Sequence, residues 1–346
     1  MVYDVIIAGG SFAGLAVATQ FRGWRVLILD RKPIGTGQTS ACGTILPVLE
    51  HWHAEASVLQ VHHSLFLHTT DRDIEFKSPY PWCTFDYARL CHTLLGQTGA
   101  EVCQAAVTGL TGRIVHTTAG DFEGRCLVDA SGWRAALASA LQPGFAHQGV
   151  MSFGLETICP YQAEGLHFWY TPAIVRHGVT WLFPRGQTSS IGIGSYRGAT
   201  KLRKPLADFL REFSLETDGL DGTYFPSRLR PPTASHVFVV GDAAGHCLGL
   251  TGEGIRPALY FGEACGRTVE RVLDGVLTLA QGLKEYADFV HAHAPFYRLM
   301  SGAQWLLTRL PPGWITPLTL AIGWDKLRQA VMNVYWHSIR PVTPNA

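Results

Sequence analysis

The hydrophobic pattern is clearest at the start of the chain. Val5-Ile6-Ile7-Ala8 is apolar without alternation, as in a strand buried on both faces of a parallel sheet. It runs into Gly9-Gly10-Ser11-Phe12-Ala13-Gly14, and a second apolar run, Val26-Leu27-Ile28-Leu29, ends at Asp30. The spacing predicts strand, glycine turn, helix and strand. Residues 31–44 form a loop of glycines and small polar residues. Residues 50–82 set His51, His53, His62, His63 and His68 among apolar positions such as Val61, Leu65 and Leu67. Thr84 is expected to cap a helix running to Leu95, with Leu90, Leu94 and Leu95 as its apolar stripe and Arg89 off it. Gly99–Cys103 reads as a returning strand, and Arg113–His116 with Gly124–Asp129 as a hairpin.

From Gly149 to Tyr196 the pattern changes to strands without helices between them: His167–Tyr170, Val179–Pro184 and Ser190–Ser195. This predicts a mostly antiparallel sheet inserted into an α/β domain. A short helix over 203–215 follows. Then His236–Val240 is a second buried strand, ending in Gly241-Asp242-Ala243-Ala244-Gly245. Thr251 and Gly252 precede a helix that runs through Glu270, with Glu253 near its first turn. Residues 276–340 read as amphipathic helices broken at Pro295, Pro311-Pro312-Gly313 and Pro317. Aromatic residues crowd this tail, among them Trp305, Trp314, Trp324 and Trp336. With Arg298, Arg309, Lys326, Arg328 and Arg340 nearby, the tail suits either a lid over the sheet or a membrane interface.

Composition narrows the function classes. The 346 residues suffice for one large or two intimate domains. A net charge of +1 gives no footprint for nucleic acid. Charged residues are 16% and hydrophobic ones 47%, with ten Trp, against ~25% charged in ordinary domains; this implies extensive buried surface, a greasy cavity or a membrane-facing patch. No apolar run approaches the ~18 residues of a membrane span, and the chain opens on a strand rather than a basic and apolar leader. A cytoplasmic protein, with peripheral membrane association left open, is expected. Eight scattered cysteines without a C-x-x-C pair suit a reducing compartment. His51-x-His53 on a strand would aim two imidazoles to one face, but no third ligand follows at metal spacing, so no metal site is expected.

The candidate chemistry gathers at glycine-rich strand ends. A helix N-terminus after Gly9–Gly14 suits a pyrophosphate, and Asp30 is placed to accept hydrogen bonds from an adenosine ribose. Ser11 stands where such turns carry a glycine. Asp129-Ala130-Ser131-Gly132 again puts small residues at a strand's carboxyl end. Cys42 is the most reactive side chain of its loop, as apt to be a small buried hydrophobe as a functional thiol. Trp169, Trp181 and Phe183 suit either the wall of an apolar cavity or the aromatic core of a sheet.

In their order along the chain, the Gly9–Gly14 turn, Cys42-Gly43, Asp129–Gly132, Gly241–Gly245 and Leu250-Thr251-Gly252-Glu253-Gly254-Ile255 resemble the two-domain FAD-dependent oxidoreductases built like aromatic hydroxylases. Trp181-Leu182-Phe183-Pro184 followed by Gly192-Ile193-Gly194 is similar to the substrate-domain motif of the geranylgeranyl reductases, with Val179 where that motif has Tyr. The resemblance implies an α/β FAD-binding Rossmann-like parallel-sheet domain over 1–147 and 233–275, with part of a substrate domain near 45–82. An antiparallel-sheet substrate domain over 148–232 and a helical region over 276–346 complete it. It further implies that Gly9, Gly10, Ser11, Phe12, Ala13, Gly14, Asp30 and Arg31 hold the ADP half of FAD, and that Arg89, Val107, Asp129, Gly132, Gly241 and Asp242 contact the cofactor. Cys42, Gly43 and the helix start at Gly252, Gly254 and Ile255 would lie at the flavin, with Cys42, Gly252 and Gly254 on the catalytic side. Trp169, Val179, Trp181, Phe183, Gly192 and Gly194 would meet the substrate. The implied reaction is reduction of isolated prenyl double bonds, with electrons from NAD(P)H or a ferredoxin-like protein. A monooxygenase or halogenase on the same fold, and a non-catalytic flavin or prenyl-lipid binder, are the competing expectations.

Overall fold

The computed structural model describes residues 2–38, 40–147, 151–217, 219–322 and 325–340; Thr39, Gly149 and Trp324 lie outside the described residues. The chain divides into two compact units. The first takes the described residues of Met1–Gly37, Tyr87–Val150 and Phe225–Leu299, the second those of Gln38–Asp86, Met151–Tyr224 and Met300–Ala346.

The first unit is built on a sheet in the strand order Thr233–Ala234, Val237–Val239, Gly120–Asp129, Val2–Ala8, Val26–Asp30, Glu101–Gln104, with Val107–Thr111 and Ile114–Thr117 attached as an antiparallel extension. Val2–Ala8 pairs in parallel on both sides, with Ala8 beside Leu29 and beside Asp129. Val5, Ile6, Ile7 and Ala8 are fully buried, which is why the run does not alternate. Two helices, Phe12–Ala18 and Ile255–Leu273, cross at close range. A Cβ on Gly262 would sit 2.7 Å from the Ala13 carbonyl oxygen, and one on Gly266 2.7 Å from that of Val17. A third helix, Leu279–Ala292, opens on a Thr278–Gln281 capping box and ties to the sheet where the Tyr286 hydroxyl donates to the Val239 carbonyl at 3.1 Å.

The second unit carries a sheet in the order Asp221–Pro226, Met151–Cys159, Thr188–Ser195, Gly178–Arg185, Leu166–Trp169, Val58–His68, Asp73–Phe85, Gly43–Ile45. Leu166–Trp169 runs parallel to Val58–His68. One face is covered by the helix Arg203–Arg211, whose Leu206, Phe209 and Leu210 pack on Leu182, Ile191 and Ile193.

The structure moves three local expectations. Thr84 is a strand residue paired with Gly43, and its hydroxyl donates to the Pro184 carbonyl at 2.5 Å; the helix starts at Tyr87 and ends at Gly96. His51 closes a short helix, Leu46–His51, and His53 sits in a turn at φ +50°, so the two imidazoles share no strand. The alternating stretch over 50–82 becomes a long hairpin, Val58–His68 against Asp73–Phe85. Among the described residues no helix is long and apolar enough to cross a membrane.

Candidate functional site

The strands ending at Ala8, Asp30, Asp129 and Val239 are parallel, so their carboxyl ends share one edge of the first unit's sheet. Ligands bind at that edge in open α/β sheets. Gly9 sits there at φ +108°, and a Cβ on it would lie 2.2 Å from the Ala130 carbonyl oxygen. A Cβ on Gly10 would strike Ile34, and one on Gly14 would lie 1.9 Å from the Gly9 carbonyl oxygen. The glycines are therefore required by the protein's own packing, before any ligand is considered. Ser11 does not cap the helix Phe12–Ala18; its hydroxyl lies 3.1 Å from that of Tyr87. Phe12 and Ala13 begin that helix, both buried.

Asp30 accepts from the Gly10 N–H at 2.8 Å with one oxygen and from the Lys32 N–H at 2.9 Å with the other. Each oxygen keeps a lone pair for a ligand hydroxyl. Arg31 is exposed beside it, and Arg89 is exposed on its helix. Val107 packs at the margin of the core. Asp129 is fully buried, and burial raises its pKa. It accepts from the Ser131 N–H and hydroxyl at 3.1 and 2.6 Å and from the Ala138 N–H at 2.8 Å, so its carboxyl ties the turn to the following helix. Gly132 stands in that turn at φ +78° with open space where a side chain would be.

The two distant glycine motifs meet the first one here. A Cβ on Gly241 would sit 2.7 Å from that of Ala13, which puts the Gly241–Ala244 turn against the first helix. A Cβ on Gly254 would lie 3.7 Å from an Asp242 carboxyl oxygen. Burial pushes the Asp242 carboxyl up to about 6, with the Arg230 guanidinium opposing the shift. Arg230 itself donates to the carbonyls of Trp133 and Ala146 at 2.6 and 2.5 Å. Gly254 precedes the helix Ile255–Leu273, which has no side-chain cap, and Gly252 stands before it in the left-handed region at φ +68°. Glu253 and Arg256 hold this helix start by a buried bidentate pair at 2.9 and 2.7 Å. Sequence reading noted Glu253 but not Arg256, whose partner three residues before it was the available signal. Two helix starts without side-chain caps flank the half-buried Asp242 carboxyl, and glycines lie where the backbone is approached. This donor set fits the phosphates and hydroxyls of a dinucleotide.

The second unit explains the W-x-F and G-x-G spacings. Trp181 pairs with Gly192 across neighbouring strands, and a Cβ on Gly192 would lie 2.2 Å from the indole. The ring thus rests on backbone, with Gly194 next to it and Val179 paired to Gly194. Phe183 lies over Gly43 in the same way, 3.0 Å from where a Cβ would be, and meets Phe168 edge-on at 5.3 Å. Gly43 follows Cys42, which is buried in the left-handed region at φ +54° with its thiol donating to the Ser40 carbonyl at 3.3 Å. For a residue other than glycine that conformation costs about 1 kcal/mol or more.

Trp169 is not on this wall. It pairs with Thr180, one residue out of phase with Trp181, and so points to the other face, where it meets Phe209 at 5.0 Å and stacks on His68 at 4.2 Å. Glu156 and Arg185, which sequence reading passed over, belong with Trp181 instead. Glu156 pairs with Gly192 from the opposite side, accepts from the Ser190 hydroxyl at 2.7 Å and has its pKa raised by burial. The Arg185 Nε and Nη1 are buried without a hydrogen-bond partner among the described residues. A lone charge in the strand Met151–Cys159 and an arginine directly after Phe183-Pro184 were the signals.

No known protein-family profile matches the chain. It is 34% identical over 118 residues to the digeranylgeranylglycerophospholipid reductase of Methanococcus vannielii, an alignment spanning 29% of each protein. It is 24% identical over 315 residues, 79% of each, to digeranylgeranylglycerophospholipid reductase 2 of Methanothermobacter thermautotrophicus. The more identical alignment therefore spans less than a third of the curated relative. Among solved structures, a geranylgeranyl bacteriochlorophyll reductase-like protein of Thermoplasma acidophilum superposes with TM-score 0.84 at 16% identity, covering 94% of this chain and 92% of that one. A flavin-dependent brominase gives TM-score 0.72 at 15% identity, covering 96% and 93%. The fold expected from the motifs is the fold found.

Proposed function

We propose that this chain, whose curated relatives carry geranylgeranyl-type reductase names and whose fold is that of the FAD-dependent monooxygenase-like enzymes, is an FAD-dependent reductase. In this reading it saturates isolated C=C bonds of a prenyl or isoprenoid-lipid substrate. The observation that carries the reading is the seating of Trp181 on Gly192, which gives a physical form to the stretch that resembles the substrate-domain motif of the geranylgeranyl reductases.

FAD, when bound and reduced, would supply the hydride. The chain's own residues would do the rest. Backbone N–H groups at Ser11–Ala13 and Gly254–Ile255, with Asp30 and Asp242, would hold the dinucleotide. An isolated alkene offers almost no polar handle, so Trp181 and Phe183 would bind it by burying apolar surface, at ~25 cal/mol per Å². Cys42, held by its neighbours in a strained backbone, would position the alkene or pass it a proton. The reductant would be NAD(P)H or a ferredoxin-like protein.

The neighbouring brominase structure favours one second reading, a monooxygenase or halogenase on the same fold. Oxygen separates the two. The purified protein is reduced without oxygen and offered a prenyl diphosphate or prenyl lipid, and mass spectrometry reads the product. A gain of two hydrogens per double bond is expected. Productive reoxidation only with an aromatic compound and oxygen would overturn the reductase reading. In the same assay Cys42→Ser is expected to slow reduction; an unchanged rate would remove Cys42 from the chemistry.

A further inference from the structure

The C-terminal helices of the second unit are apolar on two faces, and the sheet accounts for only one. Toward the sheet, Tyr335, Trp336 and Ile339 are buried, Trp336 lies at 5.3 Å from Tyr80, and the Thr316 hydroxyl donates to that of Thr69 at 2.8 Å. Away from it, Trp305 is 52% and Trp314 63% exposed, and Leu318, Leu327, Val331 and Val334 are exposed as well. Leu327, Val331 and Val334 recur at the four- and three-residue steps of one helix face on Asp325–His337.

Charge separates in the same place. The chain has 28 basic and 27 acidic residues, of which residues 300–346 hold four basic ones (Arg309, Lys326, Arg328, Arg340) and one acidic, Asp325. This stretch therefore carries +3 and the remainder −2. Arg309 and Lys326 are exposed, and the Arg309 guanidinium lies 4.1 Å from the centre of the Trp305 ring. Exposed Trp and Leu edged by cations, with the exposed Asp71, 3.3 Å from the Thr316 hydroxyl, as an acid contributed by the neighbouring hairpin, complement an anionic lipid surface, where indoles sit at the headgroup level and each basic residue adds attraction. A second protein copy would bring the same +3 against +3.

We propose that the exposed apolar residues Trp305, Trp314, Leu318, Leu327, Val331 and Val334 dock the protein on the surface of an anionic bilayer without crossing it. The inference stands apart from the reductase reading, since lipid binding is read without turnover, and a failure of one leaves the other intact.

The full chain as purified is sedimented with phosphatidylcholine vesicles and with vesicles containing roughly 30 mol% phosphatidylglycerol. Binding to the anionic vesicles, weakened at about 0.5 M salt, is expected. Trp305→Ser/Trp314→Ser/Leu318→Ser should lower vesicle affinity at least about tenfold with an unchanged melting temperature. Should that variant misfold, Arg309→Glu/Lys326→Glu changes only exposed charges and should weaken anionic-vesicle binding by about tenfold or more. No binding by the wild type, equal binding to neutral vesicles, or a wild-type dimer in ultracentrifugation that these substitutions split would each overturn the proposal.

Discussion

Asp242 is the residue whose surroundings make the sharpest demand. Its carboxyl is raised from an ordinary value near 3.8 to about 6 because burial disfavours the charged form more than Arg230 restores it. A folded-state pKa above the unfolded one means that the folded chain binds the proton more tightly. The resulting stability is full below about pH 4 and lost as pH rises through 6. His246 acts in the opposite direction: burial lowers it to about 3, so its neutral ring costs stability as pH falls below about 6.5. Its Nδ1 accepts from the Gly241 N–H at 3.1 Å, which leaves the proton on a buried Nε2 that finds no acceptor among the described residues. The two effects overlap in pH and must be separated by difference. Denaturant titrations of the ligand-free wild type and Asp242→Asn should give a stability difference that moves against the wild type by about 3 kcal/mol between pH 4 and 6. A flat difference would mean that Asp242 titrates like an exposed carboxylate.

At the scale of elements, the second unit's sheet separates two tryptophans that sequence alone groups together. Trp169 and Trp181 lie on strands that pair antiparallel, but in a register that sends them to opposite faces. Trp169 packs with Phe209 under the covering helix, whereas Trp181 rests on glycine backbone. Trp169→Ala should cost about 2 kcal/mol of stability, somewhat less than truncation of a fully buried aromatic, because this half-buried ring loses its packing on Phe209 and His68. Trp181→Ala should cost less and instead raise the KM for a prenyl substrate. If the costs fall the other way round, the faces are misassigned.

The same contrast shows what sequence can reveal. The unalternating Val5–Ala8 run and its glycine turn are local, so the parallel sheet was readable from them. Which face Trp169 takes depends on register between strands joined by a loop, and Glu156 meets Trp181 only because both pair with Gly192. Thr84 suits a helix cap and a strand equally well; its pairing with Gly43, distant in sequence, decides. The meeting of Gly241, Gly254 and the first helix is likewise tertiary, and the motifs could announce it only through their resemblance to a known order.

For the whole molecule, the two units alternate along the chain in six segments, so neither is a contiguous piece that can be cut out. Local stability still need not be uniform across such a chain. The C-terminal helix of the second unit rests on the long hairpin through Trp336 against Tyr80 and through the Tyr80 hydroxyl, which donates to the Asn333 side chain at 3.0 Å. Trp336→Ala removes that packing, at a cost of about 3 kcal/mol to whatever opens with it. Hydrogen exchange can read which amides feel the loss. Faster exchange is expected in Val58–His68 and Asp73–Phe85, where the helix is seated, with protection kept in Val2–Ala8 and the parallel-paired end of Gly120–Asp129. Those central strands are held by pairing on both sides and by their own core, in which Ile6, Ala8 and Leu127 are buried. An equal loss of protection in both sheets would instead mean that the two units open as one, and that the hairpin's stability cannot be tuned apart from the glycine-rich edge of the parallel sheet.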